Sequence, residues 1–268
     1  MSDFLQTMAA SSRERAAAAK ETKVAGFEKP VVPLRLEGFD VIAEIKDRSP
    51  AEGNLARDNG DRAARARSYV EGGAAAISVL TEPSHFAGSL EHLREVVAAV
   101  PDTPVMRKDF LIDPVQILEA REAGASGVLL IVAMLNDKEL RGMLDCAAEH
   151  DMFVLLESFD KDDLFRTGRL FDDPGDQERV QNGQLLVGVN TRNLRTLHVD
   201  PDRLSELAPA LPAATCVAES GLHDAEDAAA VAALGYRLAL VGTALMRSDD
   251  PAALVAAMRA AGSAELAA

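Results

Sequence analysis

The chain has 268 residues, 48% apolar and 26% charged, with a formal net charge of −15. That length suits one barrel-sized unit or two ordinary domains, and it buries a core without disulfides or structural metals. The acidic balance argues against nucleic acid and anionic membrane surfaces as main partners, because clustered Lys and Arg hold both. A small anion on a few local cations and backbone amides stays possible.

The opening stretch, MSDFLQTMAASSRERAAAAK, puts Arg13, Glu14 and Arg15 where a signal peptide needs an apolar core, so it reads as a helix. No apolar run approaches the roughly 20 residues of a membrane span. Cys146 and Cys216 form no CxxC or metal-spaced group and are expected as reduced thiols in or near the core of a cytoplasmic protein.

From about residue 40 onward, short apolar, β-branched runs alternate with amphipathic segments. Strands are predicted at Val41–Lys46, Ala75–Leu80, Val105–Lys108, Gly127–Val132, Phe153–Glu157, Leu185–Asn190, Thr215–Glu219 and Leu238–Gly242. Their near-continuous apolar character fits strands buried on both faces of a parallel sheet. Helix starts are read at Asp113-Pro114, Asp137, Asp200-Pro201, Asp224 and Asp250-Pro251, and glycines at Gly72-Gly73, Gly124 and Gly235 close helices. Eight strand–helix units in series predict an α/β fold, a single (β/α)₈ TIM barrel over residues 40–268. Residues 1–39 form an N-terminal helical extension expected to cover one mouth. A doubly wound open sheet is the alternative, disfavoured by the missing GxGxxG after the first strand. The polar stretch Arg166–Gln184, with Asp172-Asp173-Pro174-Gly175-Asp176, reads as a solvated loop.

In such a barrel the chemistry lies at the C-terminal strand ends. Six of the eight strands finish there in ionisable or polar residues or in glycine: Glu44 and Lys46, Lys108, Glu157, Asn190 with Arg192 beyond it, Glu219-Ser220-Gly221, and Gly242-Thr243. Glu44 and Lys46 are two apart and share a face, as reacting groups or as a structural ion pair. Ser220-Gly221 and Gly242-Thr243 follow the seventh and eighth strands, where glycine lets backbone N–H groups approach a phosphate. The five His are scattered, with no metal-spaced pair.

The runs AEIKDRSP, SVLTEPSHFAGSLEHL, MRKDFLIDPVQILEAREAGASGVLLIVA, VGVNTRNLRTLHVD, VAESGL and LVGTALM resemble, in order, the motifs of indole-3-glycerol-phosphate synthases, and they cover most of Asp40–Ala257. The resemblance implies a carboxy-lyase of tryptophan biosynthesis. It would convert 1-(o-carboxyphenylamino)-1-deoxyribulose 5-phosphate to indole-3-glycerol phosphate, CO₂ and water, with no metal or organic cofactor. By similarity Lys108 is the general acid of ring closure, with a pKa lowered by its apolar setting, and Glu157 is a second acid–base group. Glu44 and Lys46 lie near the reacting centre, and Asn190 bonds the developing hydroxyl. Arg192 and Ser49 take the substrate carboxylate, Glu219 orients neighbouring groups, and Ser220, Gly221, Gly242 and Thr243 hold the phosphate. The expected partner is a phosphorylated anionic small molecule, with no nucleic acid or membrane, and the chain is expected as a monomer or weak homodimer.

The sequence departs from the family at Ala51-Glu52-Gly53, where an acidic residue stands in place of a usual base, and mildly at Thr191. Three other readings stay open. They are a paralogue in a specialised indole pathway, another phosphosugar isomerase or aldolase of the same fold, and a non-catalytic binding protein.

Overall fold

In the computed structural model, which describes residues 3–21, 26–50, 53–55, 61–195 and 198–267, eight parallel strands close into a barrel. They are β1 (Asp40–Ile45), β2 (Ala76–Leu80), β3 (Val105–Lys108), β4 (Gly127–Ile131), β5 (Phe153–Ser158), β6 (Leu185–Asn190), β7 (Thr215–Glu219) and β8 (Leu238–Val241). Each pairs in parallel with its sequence neighbours, and β1 pairs with β8 through Asp40↔Leu238 to Ala43↔Val241. The open-sheet alternative is thereby excluded. Every predicted strand is present, with ends shifted by at most one residue.

The helices are α1 (Asp3–Glu21), α2 (Arg62–Glu71), α3 (Pro83–Phe86), α4 (Leu90–Ala99), α5 (Pro114–Glu122) and α6 (Asp137–Glu149). They continue with α7 (Lys161–Leu170), α8 (Pro174–Gln181), α9 (Arg203–Leu207), α10 (Ala225–Ala233), α11 (Thr243–Arg247) and α12 (Pro251–Leu266). Local chemistry explains most of the starts. Asp113 and Gln116 form a reciprocal capping box with Pro114 in the first turn, and Asp224 and Asp250 accept from first-turn N–H groups. Two expected starts move. Asn136, not Asp137, caps α6, because its side chain and Glu139 exchange bonds with each other's backbone. Asp200 lies in a turn that bonds Asp202 N, ahead of α9.

Strand side chains are almost uniformly buried, as the unbroken apolar runs require. The last helix secures the first strand. Arg259 Nε donates to Asp40 Oδ1 at 2.8 Å, Phe39 N donates to Ser263 Oγ at 3.1 Å, and a side chain at Gly262 would overlap the Phe39 ring.

The N-terminal helix lies against α5 and the loops after β2 and β3, at the rim that carries the strands' C-terminal ends. Phe4 packs edge-on against His85 and Phe110, and Arg15 forms two 2.8 Å bonds with Asp109. Gln116 Nε2 donates to Ser12 Oγ at 2.9 Å. The chain then reaches the opposite end of the barrel, where Val32 N donates to Ser126 Oγ just before β4.

The stretch Arg166–Gln184 is not a solvated loop. It completes α7, turns through Asp172 and Asp173, and forms α8, which Pro174 opens and Asp173 caps. Inside it Asp176 is 4% exposed, accepts from Arg141 Nη1 at 2.5 Å and stands 3.5 Å from Arg179 Nη1. The turn-forming Asp-Pro-Gly composition conceals a helix N-terminus whose acid is paired inward. Removing one partner of a buried charged pair strands the others. Asp176→Ala is therefore expected to lower the urea unfolding free energy by about 2–4 kcal/mol with kcat unchanged. A loss under about 0.5 kcal/mol is the range of an ordinary surface change and would contradict the pairing.

Candidate active site

The ionisable strand-end residues form one layer. Glu44 comes from β1, Lys108 from β3, Glu157 from β5 and Glu219 from β7, so alternate strands supply it, as inward-facing layers of such barrels require. Lys46, one residue past β1, joins from above. Glu44 Oε1 is 2.7 Å from Lys46 Nζ, and Glu44 Oε2 is 3.4 Å from Lys108 Nζ.

The intervening even-numbered strand ends give way to these side chains. Gly188 on β6 pairs with Glu157, and a Cβ there would overlap Glu219 Oε1, so the missing side chain lets two carboxyl groups meet across a strand. Gly242, just after β8, turns its Cα toward the first pair. A Cβ there would overlap Glu44 Oε1 and lie 2.8 Å from Lys46 Nζ. The sequence assigns Gly242 to phosphate approach, and the structure adds room for the Glu44–Lys46 pair. Gly188 escapes the sequence reading because nothing in its own run distinguishes it from a packing glycine.

Charge in this layer is tightly coupled. Burial opposes ionisation of Glu44, but Lys46 and Lys108 outweigh it and hold its pKa near about 2. Burial also opposes the charged form of Lys108, yet Glu44, Glu157 and Glu219 together lift its pKa above the ordinary lysine range. This reverses the lowered value expected from sequence, because the apolar strand is only one wall and carboxylates form the others. Glu157 is raised by burial against the pull of Lys108, and Glu219 is raised well above the usual range by burial and by Glu157. The two carboxyls touch, while Glu157 Oε1 and both Glu219 oxygens lack a donor among the described residues. One proton shared between them would remove the repulsion and leave the layer neutral, two ammonium groups against two carboxylate charges.

Around this layer the other predicted residues take distinct places. Asn190 is buried, faces Glu157 and accepts from Arg192 N at 2.9 Å through Oδ1. Arg192 is half-buried at the rim and bridges to Val199. Ser49 is buried in a small ribbon in which Arg48–Ser49 pairs with Gly53–Asn54. Glu52 and Ala51 lie outside the described residues. Ser220 and Gly221 both have positive φ, 68° and 78°, and a left-handed serine is disfavoured by roughly 1–2 kcal/mol. Such strain concentrates at ligand-binding turns. Thr243 opens the five-residue α11 directly after Gly242.

A second network stands behind Lys108. The Asp109 carboxylate accepts from Arg15 twice, from Arg107 Nη2 at 3.1 Å, from Thr81 Oγ1 at 2.7 Å and from Phe110 N at 2.8 Å. Arg107 also reaches Gln116 O and Glu119. Strand alternation puts Arg107 and Asp109 on the face opposite Lys108, so both neighbours of the lysine are held rigidly. The run Arg107-Lys108-Asp109 carries that signal in sequence, although the partners Arg15 and Thr81 lie far from it.

Comparison with known proteins agrees with this geometry. The family model described as indole-3-glycerol phosphate synthase matches residues 6–258. A protein named indole-3-glycerol phosphate synthase from Nocardioides sp. (strain ATCC BAA-499 / JS614) is 46% identical over 230 residues, 85% of this chain and 83% of that one. One of the same name from Koribacter versatilis (strain Ellin345) is 42% identical over 246 residues, 91% and 89% of the two chains.

The chain belongs to the indole-3-glycerol phosphate synthase family.

Likeness to solved structures extends only to the fold. A 3-hexulose-6-phosphate synthase from Salmonella typhimurium superposes with a TM-score of 0.62 at 17% identity, covering 84% of this chain and 99% of that one. A thiamine phosphate pyrophosphorylase from Pyrococcus furiosus gives 0.58 at 15% identity, covering 85% and 97%. As a family member the chain is a decarboxylating lyase of tryptophan biosynthesis, and it has no helix long and apolar enough to cross a membrane among its described residues.

Two outcomes follow from the layer. Gly242→Ala should push Glu44 and Lys46 apart and lower kcat by about 10–100-fold, because small misplacements of reacting groups are costly. A pure rise in KM would instead leave phosphate approach as the sole reason for the glycine. The second concerns Glu219. Its folded pKa lies above the unfolded 4.5, so the stability from its proton is fully present below pH 4.5 and lost as pH rises toward the folded value. Glu219→Gln mimics the protonated form. Its stability should match wild type near pH 4.5 and exceed it increasingly above, by about 1.4 kcal/mol per pH unit until the folded pKa is passed. Urea unfolding across this range would show a flat difference if no proton is shared.

Proposed function

We propose that this buried layer carries out indole ring closure on 1-(o-carboxyphenylamino)-1-deoxyribulose 5-phosphate. The supporting observation is the placement of Lys108 Nζ 3.4 Å from Glu44 Oε2 beside the Glu157–Glu219 carboxyl pair, in surroundings that favour a proton on the lysine and on the pair. The reaction needs an acid twice, once at a carbonyl oxygen and once at a hydroxyl, and the site offers two separate proton donors.

The substrate phosphate sits at the turns after β7 and β8, on Ser220, Gly221, Gly242 and Thr243. Its carboxylate faces Arg192 and Ser49. The ring carbon bearing that carboxylate attacks the C2 carbonyl, and Lys108 delivers a proton to the C2 oxygen as the carbon–carbon bond forms. The bond to the carboxylate then breaks, CO₂ leaves, and its electron pair restores the aromatic ring. The Glu157–Glu219 pair protonates the C2 hydroxyl, which departs as water while the nitrogen lone pair assists. Loss of the C1 proton to the resulting carboxylate completes the pyrrole. Asn190 fixes Glu157 for this exchange, and Glu44 with Lys46 keeps Lys108 charged and in place. The pair regains from C1 what it gave to water. The proton that Lys108 delivers is the one consumed overall when the carboxylate leaves as CO₂, so Lys108 recovers it from solvent before the next turnover. A cytoplasmic location fits this chemistry.

The test is direct, because the chain contains no Trp and indole fluorescence arises from product alone. Incubation with the substrate should generate that signal. Lys108→Met should reduce kcat by about 10²–10⁴-fold with KM nearly intact. Near-normal turnover would remove Lys108 from the mechanism, and no signal from wild-type protein at high concentration would sink the whole reading.

A further inference from the structure

The barrel has a second recess at the end opposite the catalytic layer. It encloses about 570 Å³ between the segment leading into β1 and the starts of β4, β5 and β6, with Ser126, Phe153 and Gln184 among its walls. That volume lies in the range of small-molecule sites, about 300–1,000 Å³. The reaction described above uses none of its residues.

One wall is unusual. Arg121, at the end of α5, is only 9% exposed, yet its buried Nη1 has no hydrogen-bond partner. No carboxylate lies within ion-pair distance of it among the described residues, and Asp151 acts on it only at longer range. Burial without a partner lowers its pKa, the reverse of the effect on ion-paired Arg15. Its guanidinium sits 5.1 Å over the ring of Phe27, and that ring meets His150 edge-on at 4.8 Å. Phe27 remains 39% exposed, among the few large apolar side chains left open to solvent. A buried cation with no anion within ion-pair distance among the described residues and a partly exposed aromatic ring occur together in one concave space.

We propose that this recess binds a small aromatic monocarboxylate, with its carboxylate on Arg121 and its ring against Phe27 and His150. A planar carboxylate pairs with the charge of the Arg121 guanidinium where that residue lines the recess, and an aromatic body covers the exposed part of the Phe27 ring. Glu149 and Asp151 also line the recess, and their charge opposes a dianion such as phosphate about twice as strongly as a single carboxylate. The same two acids accommodate an ammonium group, so a simple aromatic acid and an aromatic amino acid share the recognition chemistry.

Calorimetric titration of the full chain with 2-naphthoate and with L-phenylalanine tests the site. The barrel mouth is filled beforehand with saturating indole-3-glycerol phosphate, so that the catalytic end cannot answer. Saturable binding of one or both probes is expected, weakened about tenfold or more by Arg121→Met and by Phe27→Ala. Tighter binding of L-phenylalanine assigns an ammonium to Glu149 and Asp151, and tighter binding of 2-naphthoate assigns the simple acid. Turnover should be unchanged in both variants, since neither residue belongs to the catalytic layer. Should Arg121→Met fail to fold, Phe27→Ala at the solvent edge still decides. Absence of saturable binding to wild type, or equal affinity in the folded variants, overturns the proposal.

Discussion

The Lys108 ammonium held among Glu44, Glu157 and Glu219 is the interaction on which the rest of this structure depends. A buried ammonium without carboxylates would lose its proton, and three buried carboxylates without cations would repel one another. Each group is tolerable only because the others are present. The glycines at 188 and 242 have the same origin, since both stand where a methyl group would intrude on a carboxylate of the layer. Their role is volumetric. Neither has a positive φ, in contrast to Gly221.

Such a layer has to be held from outside, because polar groups inside a barrel gain little from packing alone. The face of β3 turned away from the mouth does this through Arg107 and Asp109, whose partners come from the residue after β2, from α5 and from α1. Charge-assisted bonds of this kind are worth more than neutral ones, and five of them converge on one carboxylate. The Asp109 pKa falls to about 2 because Arg107, Arg15 and Thr81 together overcome burial. The N-terminal helix thus contributes to the geometry of the lysine it never touches. Its role is to complete a bracket at the rim, a more specific task than covering a mouth.

Most of the barrel was legible in the sequence because strands buried on both faces read as unbroken apolar runs, and the punctuation between them was strong. Where the reading failed, composition and environment pointed in opposite directions. Asp172-Asp173-Pro174-Gly175-Asp176 has the chemistry of a turn, and the same residues cap and open a helix whose buried Asp176 finds two arginines. Lys108 could be placed at the site from its strand end. The sign of its pKa shift could not, since that depends on how many carboxylates reach it from other strands. Gly188 was invisible for a related reason, because a glycine's function here is defined by Glu219 on the neighbouring strand. Local signals reveal where a residue lies. Its electrostatic and steric partners belong to the closed barrel.

Closure itself has a consequence for the order in which activity can arise. The ladder between β1 and β8 joins the first and last strands, and Arg259 reaches back across 219 positions to Asp40. Contacts that distant form late, after the entropy of a very long loop has been overcome. During synthesis the first strand therefore waits with one edge unpaired until nearly the whole chain has emerged from the ribosome. Glu44 gains its glycine neighbour at position 242 only at that moment. A nascent chain stopped short of β8 would hold every carboxylate of the layer and both lysines and still lack the enclosure that sets their charges. Ring closure of the protein precedes ring closure of the substrate.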